Sequence, residues 1–529
     1  MQRVLVSDKL AAEGMDILRA APGIEVDHKP GLTPAELVAK IPDYHGLIIR
    51  SETKVTAAVL AAAKNLRVVG RAGIGVDNVD VEAATKQGVV VMNTPGGNNV
   101  TTAEHAISML LSLARSIPQA TASMKAGKWE KGRFMGTELS NKTLGIVGIG
   151  NIGGLVADRA QGLHMKVIAF DPFIAPEAAA RLGVELVTLD ELWARADFIS
   201  IHTPLNADTR NLVSTAAFNK MKKGVRLINC ARGGIVDEAA LATAIEGGKV
   251  AGAALDVFAE EPPPPDHPLL KLAQVICTPH LGAATSEAQV NVAIAIAEQL
   301  VNYLSDGVIQ NAVNVPSMSP ELLEILTPYL TLAEKLGTLQ GQLLSGAPRE
   351  VQIEYAGEVA DQDVKSVTLA VLRGLLNRVL EKGEVNYVNA AAIARDRGIK
   401  VVESKTSQAK GYVNQVTVRV VTSQGDSTVA GVIFGRRVVR LVRINDFYLE
   451  AVPEGYILMS TNRDVPGVVG AIGTLLGEEK INIASIELGR EKVGGLAISL
   501  FHIDEPVTPT VLAKLRTLPP IVTAQLITL

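Results

Sequence analysis

The stretch that most restricts what this chain can become is Leu144-Gly145-Ile146-Val147, an apolar strand, followed at once by Gly148-Ile149-Gly150-Asn151-Ile152-Gly153 and a helical pattern over residues 155–160. Glycine at these three positions meets three separate steric demands. Gly148 permits a tight turn, Gly150 lets the backbone approach a pyrophosphate, and Gly153 lets helix and strand pack closely. The phosphates then lie on the helix N-terminus, where free N–H groups and the dipole favour an anion. Asp171 ends the next strand. Its carboxylate can accept hydrogen bonds from ribose hydroxyls and repels a 2′-phosphate. Pro172 and Phe173 follow with no adjacent Arg, so the pattern favours NAD over NADP. A lone glycine-rich turn can bind nothing, but here strand, helix and acidic partner all stand where the mechanism needs them.

Around this motif, short apolar runs alternate with helical patterns. Residues 4–6, 46–49, 68–70 and 89–92 read as strands and 11–20, 34–40, 57–63 and 81–86 as helices, which implies parallel βαβ units. A long helix follows at 101–115. A second series supplies six strands, at 144–147, 166–170, 198–201, 226–229, 252–255 and 275–277, enough for a complete doubly wound sheet. An amphipathic helix at 286–304 can carry the chain back to the first domain. The expected fold is therefore α/β. A discontinuous flavodoxin-like substrate domain (1–97 and 286–316) flanks a Rossmann NAD domain (98–285). Beyond Asn314-Val315-Pro316-Ser317, a mixed α/β domain is expected over 317–453. Residues 454–529 read strand, helix, strand, strand, helix, strand, the ferredoxin-like order.

Length supports this division, since 529 residues exceed one core. A net charge of −4 argues against a general nucleic-acid partner. No run of about 18 uncharged apolar residues is present, so no membrane span is expected. Met1–Asp8 runs straight into a strand without a leader pattern, which makes a cytoplasmic location the expectation. Cys230 and Cys277 are the only cysteines, too few for a disulfide framework or a Cys-based zinc site, and no metal is expected.

Three segments place polar groups just past strands of the second sheet, where such sheets bind ligands. They are Asn229-Cys230-Ala231-Arg232, Asp256-Val257-Phe258-Ala259-Glu260-Glu261 and Thr278-Pro279-His280-Leu281-Gly282-Ala283. Oxidising a secondary alcohol needs a base for the hydroxyl proton, and His suits that role at neutral pH. A carboxylate beside it orients the ring, and an Arg can grip a substrate carboxylate in bidentate fashion. Taken singly, each has a plainer reading: Arg232 as surface charge, Glu261 as a cap with Glu260 as its rival, His280 as a core histidine. Their joint placement on one nucleotide-binding sheet favours catalysis.

These segments resemble the signatures of the D-isomer-specific 2-hydroxyacid dehydrogenases, most specifically between Thr137 and Ala284. The whole layout resembles the long branch of that family, which acts on 3-phosphoglycerate and ends in an ACT domain. The resemblance implies NAD as cofactor, Arg232 on the substrate carboxylate, Glu261 paired with the histidine, and His280 as acid/base. It assigns nucleotide contacts to Asn151, Ile152, Asp171, Thr203, Asp256 and the backbone of Cys230, Ala231 and Arg232, with Gly282 and Ala283 beside His280. Arg50-Ser51, Arg71-Ala72-Gly73 and Asn98 resemble the family's substrate-side loops, and arginine there suits a phosphate, with ordinary surface charge as the alternative reading of Arg50 and Arg71. Ile74 departs from the Thr or Asn common at its position. The reaction is reversible, so other 2-oxo acids, 2-oxoglutarate among them, are candidates for reduction. A hydroxypyruvate or glyoxylate reductase is an alternative, as is an NAD-sensing corepressor. The C-terminal module argues against the first, and the retained Arg232, Glu261 and His280 against the second.

The last segment, with Asn462-Arg463-Asp464-Val465-Pro466-Gly467 and Ile481-Asn482-Ile483, resembles an ACT domain, a module that binds amino acids. The resemblance implies L-serine as effector, held by Asn462, Asp464 and Asn482; a purely oligomerising domain is the alternative. Arg436, Arg437, Arg440 and Arg443 crowd one stretch, as an anion site or as a solvated strand face. Trp129 is expected in core or interface packing, with cover for a neighbouring subunit's site as the other reading. A homotetramer is expected.

Overall fold

In this computed structural model, residues 1–316, 320–378, 385–408, 411–435 and 437–529 are described. Ser317, which opens the expected third domain, and Arg436 lie outside them.

Strands β1 (Gln2–Val6), β2 (Ile24–His28), β3 (Gly46–Ile49), β4 (Val68–Arg71) and β5 (Val90–Met92) form a parallel sheet in the order β2-β1-β3-β4-β5. That is the flavodoxin-like order. A parallel sheet is covered on both faces, so its central strands are apolar throughout; all four residues of β3 are buried. One face carries Val4, Val6, Ile48 and Val68, packed with Val292, Ile296 and Leu300 of the helix Ser286–Asp306. That helix thus covers the first sheet although it follows the second in the chain.

The second sheet joins β6 (Thr143–Val147), β7 (Lys166–Phe170), β8 (Glu185–Leu186), β9 (Phe198–Ile201), β10 (Val225–Asn229), β11 (Val250–Leu255) and β12 (Val275–Cys277). Its order is β12-β11-β10-β9-β6-β7-β8, all parallel. The expected fold class holds, but the sheet has seven strands where six were expected. The extra one, β8, is a two-residue edge strand, too short to show as an apolar run. The helix Asn99–Arg115 lays Ala103, Ala106, Leu110 and Leu113 on this sheet's core.

A third sheet contains β13 (Pro348–Gly357), β14 (Lys400–Thr406), β15 (Asn414–Thr422), β16 (Gly425–Phe434), β17 (Val438–Ile444) and β18 (Phe447–Ala451). Only the β13–β14 pair is parallel. The helices Pro320–Leu343 and Lys365–Leu376 contribute to its core. The fourth sheet holds β19 (Tyr456–Arg463), β20 (Ile483–Arg490), β21 (Leu496–Ile503) and β22 (Ile521–Thr528), antiparallel in the order β20-β21-β19-β22. This is the ferredoxin-like arrangement. Strand alternation sends Leu458 and Phe501 towards its two helices, and Ile457, Met459, Ile498 and Leu500 into the same core as the Pro320–Leu343 helix. Among the described residues, no helix is long and apolar enough to cross a membrane.

Candidate active site

The nucleotide side begins at the turn after β6. Gly148 has φ 89°, which a side chain resists, and a Cβ there would lie 2.8 Å from the His202 carbonyl oxygen. A Cβ at Gly153 would overlap the Gly148 carbonyl, whereas one at Gly150 would meet nothing within 4 Å. The motif thus has one tight turn, one close packing contact and one open face. The helix Asn151–Gly162 starts four residues before the expected 155, directly at the glycine turn, so Asn151 and Ile152 lie in its first turn.

Asp171 ends beside this turn, with Oδ2 accepting from the Ile149 N–H at 3.0 Å and Oδ1 from the Phe173 N–H at 2.9 Å. Thr203 Oγ1 is buried without a hydrogen-bond partner, as expected of an atom awaiting a ligand. Its neighbour His202 is held by Ser200 at 2.7 Å, and burial pushes its ring down to about 4, so it is neutral at pH 7. Burial pushes the Cys230 thiol up, which makes it inert. The Asn229 side chain shapes the next loop, accepting from the Ala231 N–H and donating to the Arg232 carbonyl. The open glycine face, the unpartnered hydroxyl and the acidic strand end fit a dinucleotide.

On the reacting side, His280 Nδ1 is 2.7 Å from Glu261 Oε2. Glu261, rather than its rival Glu260, is the carboxylate that reaches the ring. Burial pushes the Glu261 carboxyl up, but the His280 hydrogen bond and charge and the Phe258 N–H outweigh it, leaving the group below the usual range. An ionised carboxylate only accepts, so Nδ1 carries the proton and Nε2 keeps a lone pair. His280 has φ 54°, sparse for a residue with a Cβ. Asp256 holds it there: its oxygens accept from the Leu281 N–H at 2.7 Å, the Gly282 N–H at 2.8 Å and Thr278 Oγ1 at 2.5 Å. Burial pushes the Asp256 carboxyl up, and bonds from His105, Thr278 and Leu281 bring it below the usual range.

Arg50, Ser51, Arg71, Gly73, Asn98, Glu261, His280 and Ala283 line one cavity of about 230 Å³. It combines the C-terminal ends of first-sheet strands with the His280 loop of the second domain. Arg50 is set by Asp8, which accepts its backbone N–H at 2.5 Å, and its guanidinium donates to Gln289 at 3.1 Å. Burial and the charges of Arg232 and Arg50 lower Arg71 to about 10. Arg50 Nε, Arg71 Nε and Asn98 Oδ1 are buried without partners. Crowded cations with unmet donors call for an anion. Arg232 is not among the residues that line this space; its charge reaches Arg71, which does, and its Nε donates to Asp77 Oδ2 at 2.8 Å. Ile74 contributes only its carbonyl, which accepts from Asn93.

Asp8, Asp77, His105 and Gln289 were not anticipated. Asp8 carried a signal, since it stands just past a strand as Arg50 does; Asp77 carried none. Trp129 is 80% exposed on the single chain, which removes the core reading.

In the fourth domain, Asn462, Asp464, Pro466, Gly467, Arg490 and Ser499 are among the residues lining a cavity of about 470 Å³. Asn482 does not line it; its amide donates to Asp504 at 2.8 Å. Asn462 is buried, accepting from Ser499 and donating to the Arg463 carbonyl. Asp464 lies 3.4 Å from Arg490. Of the arginine-rich stretch, Arg440 lies 3.9 Å from Glu450 and Arg443 stacks over Tyr448.

Residues 107–282 match the model of the D-isomer specific 2-hydroxyacid dehydrogenase NAD binding domain, 325–445 that of the D-3-phosphoglycerate dehydrogenase intervening domain, and 456–520 that of the ACT domain. The D-3-phosphoglycerate dehydrogenase of Archaeoglobus fulgidus is 46% identical over 99% of both chains, and that of Bacillus subtilis 41% identical over 100% of both. A Staphylococcus aureus NAD-dependent formate dehydrogenase, solved with NAD, aligns with 60% of this chain and 100% of its own at 29% identity and a TM-score of 0.55. With NAD as its cofactor and an ACT module at its end, the chain belongs to the D-3-phosphoglycerate dehydrogenase family of D-isomer-specific 2-hydroxyacid dehydrogenases.

Proposed function

We propose that the chain oxidises 3-phosphoglycerate to 3-phosphohydroxypyruvate with NAD, the first step from that acid towards L-serine. The observation that carries this is the joining of Arg50, Arg71 and the His280–Glu261 pair in one cavity, with Arg232 near enough for its charge to act on Arg71. A substrate bearing both a carboxylate and a phosphate answers that much positive charge. A glyoxylate or hydroxypyruvate reductase has no use for the additional arginines.

Arg232 grips the carboxylate, and Arg50 and Arg71 take the phosphate. His280 Nε2 accepts the hydroxyl proton as the hydride leaves the carbon that bears that hydroxyl. Glu261 stays ionised, fixes the ring and stabilises the imidazolium. NAD, when bound, supplies the hydride acceptor. Gly150 serves the pyrophosphate and Asp171 the ribose, with Thr203, beside Gly148, as a further nucleotide contact. Closing the cleft between the two βαβ domains excludes water during the transfer. The fourth domain takes L-serine as effector at the Asn462–Asp464 cavity, within a tetramer.

NADH formation from 3-phosphoglycerate, followed with and without L-serine, tests this directly. Turnover that serine suppresses supports both halves, and turnover indifferent to serine leaves only the dehydrogenase. His280→Ala is expected to abolish turnover while NAD binding persists; a fully active variant would remove the acid/base role.

A further inference from the structure

Arginine offers two edges to a carboxylate, one formed by Nε and Nη2 and the other by Nη1 and Nη2. In Arg232 the first edge is engaged: Nε donates to Asp77 Oδ2 at 2.8 Å. Nη1 also donates to the Ala231 carbonyl at 2.6 Å, which pins the plane of the group. Nη2 sits over Gly75, where a Cβ would overlap it and come within 2.7 Å of Asp77 Oδ2. Among the described residues Nη2 donates to nothing, so its outer proton, with one proton of Nη1, remains for the outer edge.

We infer that Asp77 is a positioning residue for the reaction, holding Arg232 so that its outer edge faces the substrate carboxylate. The inference rests on the proposed role of Arg232 and extends it to a residue on the other βαβ domain. Asp77 and Arg232 are 155 residues apart, and the bond between them spans the cleft. The Asp77 side chain is 61% exposed and makes no other hydrogen bond among the described residues. An ion pair that open adds little to stability. Its geometric consequence is larger, because an arginine without the Nε anchor can swing about its long stem and lose bidentate alignment. The Asp77 charge also opposes the crowding of Arg71 by Arg232.

Removing Asp77 has two opposed effects. The guanidinium loses its anchor, and the cleft becomes more positive. Steady-state kinetics on the full chain separate them, with 3-phosphoglycerate and D-glycerate as substrates. In Asp77→Ala, KM for the hydroxy acid is expected to rise on the order of 10-fold, with KM for NAD unchanged. Asp77→Asn keeps an oxygen that can accept from Nε, and is expected to recover most of the loss. In an Arg232→Lys background, which has no Nε edge, Asp77→Ala is expected to add nothing.

An unchanged KM in Asp77→Ala overturns the inference. So does a lower KM in both Asp77 variants, which marks Asp77 as a damper of positive charge only, or an undiminished effect in the Arg232→Lys background. The carboxylate is common to both substrates. A wild type that oxidises only D-glycerate therefore sinks the phosphate reading and leaves the Asp77 test legible, whereas one that oxidises neither sinks both.

Discussion

The three glycines of the fingerprint look alike in sequence and do different things in space, so they fail differently when changed. A Cβ at Gly153 overlaps the Gly148 carbonyl, a backbone atom that cannot yield without moving the strand. Gly153→Ala is therefore expected to cost about 1–3 kcal/mol of stability. Gly150 has φ −71° and open space around a Cβ. Gly150→Ala is expected to fold normally and to lose affinity for NAD, because the methyl group stands where the pyrophosphate must approach. Thermal melts with and without NAD distinguish the two: a lowered apo melting point for Gly153→Ala, and an unaltered apo melt with a diminished NAD-induced shift for Gly150→Ala. Equal apo melts for both would refute the assignment. These roles were legible because one short segment contains all three positions. The Arg232–Asp77 and Arg50–Asp8 pairings were not, because each joins residues that only the folded chain brings together. Asn482, singled out together with Asn462 and Asp464, lies away from their cavity and donates to Asp504.

Central parallel strands, covered on both faces, appear in sequence as mainly apolar runs, and for that reason β3, β7 and β9 were readable to the residue. Edge strands lack that signal. β2 reads Ile-Glu-Val-Asp-His, half polar, and β8 has only two residues. What ties neighbouring strands at their ends is equally silent in sequence. Asp197, just before β9, accepts the Thr143 N–H at the start of β6 at 2.8 Å and pairs with Lys222 at 2.9 Å. Burial pushes its carboxyl up, but the Thr143 and Lys222 bonds outweigh this, leaving it below the usual range. A depressed carboxyl contributes stability above its unfolded value, near 3.9, and loses it as pH falls through the folded value. Asp197→Ala is therefore expected to lose about 1–3 kcal/mol at neutral pH. The gap in melting temperature between variant and wild type should be the same at pH 8 and pH 6 and close only in acid below about pH 4. A gap that narrows between pH 8 and pH 6 would show that another group is responsible.

At the scale of the whole molecule, the third and fourth domains are separate in sequence but share a core. Ile457, Met459, Ile498, Leu500 and Ile527 of the ferredoxin-like sheet are buried in one cluster with Leu332, Leu336 and Leu339 of the Pro320–Leu343 helix. The last strand also meets that helix through Gln342, which accepts the Thr528 N–H and donates to its carbonyl. By contrast, the third domain meets the first through a smaller contact, with Asn386 on the Gly88 carbonyl and Leu369 and Val388 against the first core. An effector bound to the fourth domain thus acts on a body that includes the third. Where the chain is cut then matters more than how much is removed. Each large aliphatic side chain uncovered costs about 1.5–3 kcal/mol, and several together rival the 5–15 kcal/mol of a typical domain. Truncation after residue 453 strips the Pro320–Leu343 helix of its cover. It is expected to yield a protein that aggregates or binds a hydrophobic dye. Truncation after residue 316 removes both bodies together and is expected to leave a folded chain that binds NAD. Light scattering and NAD-induced thermal shifts on the two truncations decide it: a monodisperse 1–453 chain melting like the full-length protein would mean that the two C-terminal domains do not depend on one another.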